Sequence, residues 1–249
     1  MSNVIINADL SQAELRVMAL LSGDEWMIAA LQEGQGDFFN NHMMPVCFPE
    51  KLAQYGSIEN YMEQDPIGHK EDRTKVKGIQ YGLAFGRQAF AIAVALGLTV
   101  AEAETILSNY LSTASNFAQW REDIMVAAIN PAKRDMLINP FGRKFQSEVI
   151  TTANFRNIQR EALSFLPQST SSDICLTTGI RIQDQLHKWG YDIINIVHDA
   201  LMIEGPLEAA DYTAQYVCKE LRRTGEMVFG TTVPFLSDYS IGKSWADLS

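Results

Sequence analysis

The 249 residues are 47% hydrophobic, 20% charged and 10% aromatic, enough apolar material for one large domain or two lobes around a buried core. No apolar run approaches the roughly 20 residues that a membrane-spanning helix needs, Ala89–Leu98 being the longest, and no repeat or low-complexity segment interrupts the chain. A net charge of −10 argues against unaided binding of nucleic acid, which draws on Lys and Arg; either basic residues are concentrated locally or another polypeptide supplies much of the backbone-gripping surface.

In chain order, Val4–Asp9 is a short β-branched run that reads as a strand. Ser11–Ala30 reads as helix with a break at Ser22–Gly23, and residues 31–68, rich in Gly, Pro and Asn, read as irregular. Lys70–Phe85 and Ala89–Leu96 read as helices. Thr99 with Glu102 forms a capping-box pattern that opens a long helix expected to last to Asn130–Pro131. Leu137–Phe145, with Pro140 and Gly142, predicts a strand–turn unit, and a helix from Asn154 is expected to break at Pro167. A further helix should run from Ser169 to Trp189 and close at Gly190. Two strands, Asp192–Val197 and Leu201–Glu204, should flank the turn His198–Asp199–Ala200; a helix over Leu207–Arg223 and a strand from Val233 to Ile241 follow. Strands and long helices in this arrangement predict an α+β fold built on an antiparallel sheet.

Two features carry chemistry. Asp9 and Asp199 each end an apolar strand-like run, and two carboxylates at strand ends can hold a pair of Mg²⁺ ions about 3.5–4 Å apart for in-line displacement at phosphorus. Arg73, Lys77, Tyr81 and Phe85 recur at a spacing of four, so they share one broad helix face with the cations toward its N-terminus. Such a face suits a triphosphate lying along Arg73 and Lys77, a sugar at Tyr81 and a base at Phe85. Gly82 and Gly86 on the same helix are costly unless something must approach closely. The bland alternative for each element is a solvated basic face over core aromatics and a pair of turn aspartates.

Asp9-Leu10-Ser11-Gln12-Ala13-Glu14-Leu15-Arg16, the helix residues Arg73, Lys77, Tyr81, Phe85 and Gly86, and Val197-His198-Asp199 resemble, in order, the three polymerase motifs of family A DNA polymerases. Phe141-Gly142-Arg143-Lys144, Gln168 with Asp173, and Gly242-Lys243-Ser244-Trp245 add supporting matches. The resemblance implies template-directed DNA synthesis by a palm with an antiparallel sheet and helical fingers. It assigns 1–30 and 136–249 to the palm and 31–135, including helix 70–86, mainly to the fingers. It also implies two Mg²⁺ ions held by Asp9, Asp199 and the Leu10 carbonyl, with Lys77 as proton donor to pyrophosphate. Arg73, Lys77, Tyr81, Phe85 and Glu14 would bind the deoxynucleoside triphosphate, Glu14 as steric gate against a ribose 2′-hydroxyl. Gln168 and His198 would touch primer–template DNA. Read without the resemblance, Glu14 is a solvated helix residue, Gln168 a cap and His198 a turn histidine.

The sequence departs from the family pattern in several places. Leu10 and Phe85 replace tyrosines, Ala200 replaces a glutamate, and Phe39 stands where a phosphate-contacting histidine is usual, with His42 the nearest substitute. Without a tyrosine hydroxyl at Phe85, ribonucleotide exclusion is expected to weaken. Tyr81, where many relatives carry phenylalanine, implies ready acceptance of dideoxynucleotides. The chain starts just before the first motif, so thumb and exonuclease domains are expected to be absent and a second polypeptide to supply thumb and N-terminal palm. Met1–Leu10 has no signal-peptide pattern, and Cys47, Cys175 and Cys218 form no CxxC pair. A cytoplasmic, reduced setting in a bacterial or phage-infected cell with no membrane partner is therefore expected. Two other classes compete: a non-catalytic polymerase-derived binding subunit and a single-subunit RNA polymerase.

Overall fold

A computed structural model describes residues 3–248 apart from 33 and 35, so Met1, Ser2 and Ser249 of the expected palm segments lie outside the described residues. The chain runs β1 (Asn3–Ser11), α1 (Ala13–Ser22), α2 (Glu25–Ala30), a π-helical turn over Phe38–Met43, α3 (Met44–Cys47), α4 (Pro49–Tyr55) and α5 (Ile58–Gln64). It continues through α6 (Pro66–Ala84), α7 (Ala89–Leu96), α8 (Val100–Thr113), α9 (Ser115–Ile129), α10 (Phe155–Lys188), β2 (Asp192–Val197), β3 (Ala200–Pro206), α11 (Ala210–Phe229) and β4 (Leu236–Gly242). Two compact units emerge: 1–20 with 139–143 and 167–249, and 21–138 with 144–166. Residues 21–30, 136–138 and 144–166, expected with the palm, cluster with the second unit.

The first unit is built on an antiparallel sheet of order β2-β3-β1-β4, which gives the expected α+β class. Alternation along β1 explains its place. Val4, Ile6, Ala8 and Leu10 are buried on one face, while Asn7, Asp9 and Ser11 point to the other. The buried face is covered by the second half of α10, where Gly179 lies against Ile193 and Leu201, and by α11. These two helices are tied by Thr178 to Thr224 (2.8 Å) and Arg181 to Glu220 (3.0 Å). The outward face of β1 is left for chemistry.

Residues 38–68, expected to be irregular with the rest of 31–68, are helical for most of their length. Pro49 and Pro66 occupy first helical turns, and Ser57 and Asp65 are N-caps, so the residues read as loop punctuation are helix starts. The expected helix from Thr99 to Asn130 does begin at the Thr99–Glu102 capping box, but it is two helices that part at Ala114 (φ −93°, ψ 60°). The cause is non-local. Asp24 accepts the N–H of Met27 at 2.9 Å, capping α2, and the N–H of Phe117 at 3.1 Å, capping the first turn of α9 from 93 positions away. Asp24 is 2% exposed, and Asp24→Ala is expected to lower unfolding free energy by about 3 kcal/mol, since two charge-assisted caps are lost in a buried place. Urea unfolding of variant and wild type measures it; a change under about 1 kcal/mol would contradict the double cap.

Pro167 does not end a helix either: α10 runs 34 residues straight through it. A proline in a helix interior costs roughly 3 kcal/mol. Ahead of it, Ile158, Ala162, Leu163 and Leu166 are buried in a cluster with Ile124, Ala127, Ala128 and Leu137; beyond it, Ile174, Cys175, Ile182 and Leu186 are buried in the first unit. Each large apolar side chain contributes about 1.5–3 kcal/mol when buried, so the anchored flanks outweigh the missing bond. The strand–turn expected over Leu137–Phe145 reduces to a single bridge, Ile138 with Lys144. The final strand is shorter than expected, Leu236–Gly242.

Candidate active site

The sheet register decides where the aspartates fall. Asp9 pairs with Ala200 across β1–β3, and the Leu10 N–H reaches the Asp199 carbonyl at 3.2 Å, so the two-residue turn His198–Asp199 is fastened to the end of β1. His198 holds a left-handed φ of 56°, an uncommon conformation for a residue other than glycine and one that often marks a functional turn. The Asp9 and Asp199 carboxyls lie close enough that each shifts the titration of the other. Loss of water around the Asp9 carboxyl, then the Asp199 charge and hydrogen bond, then Asp238, raise its pKa to about 6. Asp199 is also raised, first by burial. Beneath them the buried thiol of Cys175 is pushed up by burial and by both carboxylates.

Glu14, Gln168, Ser171, Ser172, His198 and Asp199 line one cavity of about 410 Å³. Burial and the Asp199 charge raise the Glu14 pKa, partly offset by a hydrogen bond with Gln168 and by His198. A second cavity, about 320 Å³, opens on Asp9, His198 and Asp199 from the side of Trp245 and Leu248. The structure thus collects Asp9, Glu14, Gln168, His198 and Asp199 into one neighbourhood of the first unit. Nearby, the turn over 139–143 is anchored by Asp173, which accepts from Asn139 (2.7 Å) and from Arg143 Nε (3.0 Å) and Nη2 (2.6 Å).

Sequence reasoning missed Asp238. It pairs directly with Asp9 across β1–β4 and accepts the Ser11 hydroxyl at 2.7 Å, adding a third carboxylate to the outward face where Ala200 removes one. Its position in the last strand was readable; the register that sets it opposite Asp9 was not.

In the second unit, α6 carries Arg73, Lys77 and Tyr81, all half-buried, with Phe85 just past its end. Their common face is real. The buried Phe39 ring lies 6.0 Å from the Arg73 guanidinium carbon, 5.5 Å from Lys77 Nζ and 6.3 Å from the Tyr81 ring, and Phe85 stacks on Tyr81 at 6.2 Å. His69, also missed, extends the spacing by one turn; it is buried, its Nε2 has no hydrogen-bond partner, and burial and Arg73 lower its pKa. His42 stacks on Phe38 at 6.4 Å. The two glycines have structural causes. A Cβ at Gly82 would meet Ile92 of α7 at 3.1 Å, and Gly86 takes φ +70° where the chain leaves the helix. The close approach inferred from them is by the protein itself.

The family model for DNA polymerase family A matches residues 1–247. The chain belongs to that family. Among curated relatives, the thermostable DNA polymerase I of Thermus aquaticus is 25% identical over 97% of this chain and 27% of its own length. DNA polymerase I of Streptococcus pneumoniae serotype 4 is 26% identical over 98% of this chain and 26% of its own length. The DNA polymerase of Mycobacterium phage D29 is 26% identical over 99% and 35%. This family A chain therefore spans about a quarter to a third of the length of these relatives. It superposes with a TM-score of 0.78 on the POL domain of Pol1 from M. smegmatis in complex with DNA primer-template and dNTP, over 98% of this chain and 40% of that one at 24% identity, a likeness of fold. No single helix among the described residues is long and apolar enough to cross a membrane.

The carboxylate pair fits a divalent cation. Asp9 and the Asp199 turn adjoin across β1–β3, with Asp238 opposite Asp9 on β4, so carboxylate oxygens gather at one place. Such an open oxygen set suits Mg²⁺, which keeps waters and takes substrate phosphates as ligands.

Proposed function

We propose that this chain carries the nucleotidyl-transfer centre and the nucleotide-binding helix of a template-directed DNA polymerase, extending a primer 3′ end with deoxynucleotides. The observation that carries the reading is the register that sets Asp9 beside the Asp199 turn, so that two carboxylates meet near the end of β1. With the Leu10 carbonyl they would hold two Mg²⁺ ions, which supply acidity at the primer hydroxyl and neutralise phosphate charge. Arg73 and Lys77 bind the triphosphate oxygens, and the Lys77 ammonium gives its proton to the departing pyrophosphate. Tyr81 packs on the sugar and Phe85 on the base. Glu14, steadied by Gln168, fills the space a ribose 2′-hydroxyl would need. Gln168 and His198 meet the primer–template at its growing end. Support for a second polypeptide that grips the duplex comes from the net charge of −10, which leaves this chain poorly suited to hold DNA alone.

Primer extension by the full-length protein, with the polypeptide that co-purifies with it, tests the reading. Deoxynucleotides should be incorporated far better than ribonucleotides. Equal use of both would favour an RNA polymerase, and no extension by protein that still binds template would favour a binding subunit. In the same assay Tyr81 predicts ready termination by dideoxynucleotides, with Tyr81→Phe discriminating against them by a further factor of about 100 or more, roughly 3 kcal/mol in the barrier. Strong rejection of dideoxynucleotides by the wild type would remove Tyr81 from the sugar pocket.

A further inference from the structure

Asp37 uses its two carboxylate oxygens for different purposes. Oδ1 accepts the Asn40 N–H at 2.8 Å and caps the helical turn over Phe38–Met43, while Oδ2 takes Arg73 Nη2 at 2.7 Å. Two residues on, the buried Phe39 ring faces both Arg73 and Lys77. We propose that Asp37 and Phe39 are positioning residues that set the two cations of α6 before a nucleotide arrives, an inference that rests on reading α6 as the triphosphate helix.

The argument turns on what a long cation loses on binding. Free arginine and lysine side chains hold several rotatable bonds, and fixing them on a phosphate costs entropy that a prior constraint removes. Arg73 is so constrained at both ends of its reach, by a carboxylate at Nη2 and an aromatic surface beside the guanidinium. Lys77 rests on the same ring. The opposing effect is the negative charge that Asp37 brings near a triphosphate. Three features weaken it. Oδ1 is already spent on a helix N-terminus, whose partial positive charge offsets the carboxylate; Oδ2 occupies one guanidinium nitrogen and leaves the other N–H donors for phosphate oxygens; and solvent screens the pair, whose side chains are 30% and 29% exposed. Ordering therefore outweighs repulsion. An aromatic residue at 39 serves this arrangement by touching the cations and not the phosphate.

One substitution separates the two uses of the carboxylate. Asparagine caps a helix as well as aspartate, so Asp37→Asn keeps the Asn40 contact and removes the charge that holds Arg73. In primer extension by the full-length protein, Asp37→Asn should raise the KM for deoxynucleotide about threefold to fivefold, the range an ion pair of this exposure supports, with kcat changing less. In an Arg73→Ala background the same substitution should add nothing. Phe39→Leu should raise KM in parallel, with melting temperatures monitored for each variant. An unchanged or lowered KM in Asp37→Asn, or an equal rise without Arg73, would overturn the proposal while leaving the polymerase reading in place. A wild type that neither binds nor incorporates deoxynucleotide would overturn both.

Discussion

Replacing Asp199 or Asp9 by asparagine is expected to lower kcat for nucleotide addition by at least about 1,000-fold, some 4 kcal/mol in the barrier, while the KM for deoxynucleotide changes only a few-fold. The two carboxylates are proposed to act where the new bond forms, whereas Arg73 and Lys77, on another element, are proposed to hold the phosphates and serve the leaving group. The same variants should melt at the wild-type temperature or slightly above it. Two carboxylates this close repel each other when both are ionised, and Asp9 is further raised by Asp238 across the strand. An amide at either position relieves that repulsion, a stability cost of the kind that catalytic sites commonly carry. A purely structural pair would behave in reverse, losing stability and keeping activity. Single-turnover extension together with thermal melting distinguishes the two cases. Retention of more than a tenth of wild-type kcat in either variant would end the assignment and favour a binding subunit descended from a polymerase.

What was legible in the chain depended on how local its cause was. The aspartates could be found because each follows a short apolar run, although β1 continues past Asp9 to Ser11, and the α6 face because a spacing of four is a property of the helix alone. The Thr99 capping box was readable for the same reason. Asp238, by contrast, matters only through the β1–β4 register, and strand pairing between residues at opposite ends of the chain leaves no mark in either segment. The division of α8 from α9 is written at Asp24, far from the break itself. Pro167 was misread because a local rule met buried flanks that override it. Gly82 and Gly86 point to a close approach, and what approaches is Ile92 at the first and Arg160 with Leu163 of α10 at the second. Phe39 was noticed only as a missing histidine; its contacts with Arg73, Lys77 and Tyr81 give it a role of its own.

Divalent cations should stabilise the protein in a pH-dependent way whose sign follows from Asp9. Its folded pKa, about 6, lies above the ordinary 3.8. A raised carboxylate contributes stability that is fully present below the unfolded pKa and lost as pH rises through the folded one. Asp199 and Glu14 are shifted in the same direction. Without metal, this cluster therefore favours folding at pH 5 over pH 7.5. Asp72 and Asp173 do not interfere in that window: although burial pushes them up, hydrogen bonds from Lys75 and Tyr61, and from Arg143 and Asn139, bring both below the ordinary value. Cation binding reverses the trend because it requires the carboxylates deprotonated. With 10 mM Mg²⁺ and a dissociation constant of about 1 mM, linkage gives roughly 1.4 kcal/mol, or about 3 °C in Tm for a chain of this size. That increment should be present at pH 7.5, shrink through pH 6 and be nearly absent at pH 5, and Asp9→Asn should abolish it at every pH. Melting curves with Mg²⁺, with Ca²⁺ and with chelator across pH 5–7.5 decide the matter. An equal Mg²⁺ increment at pH 5 and 7.5, or one that survives Asp9→Asn, would place the cation elsewhere on the molecule.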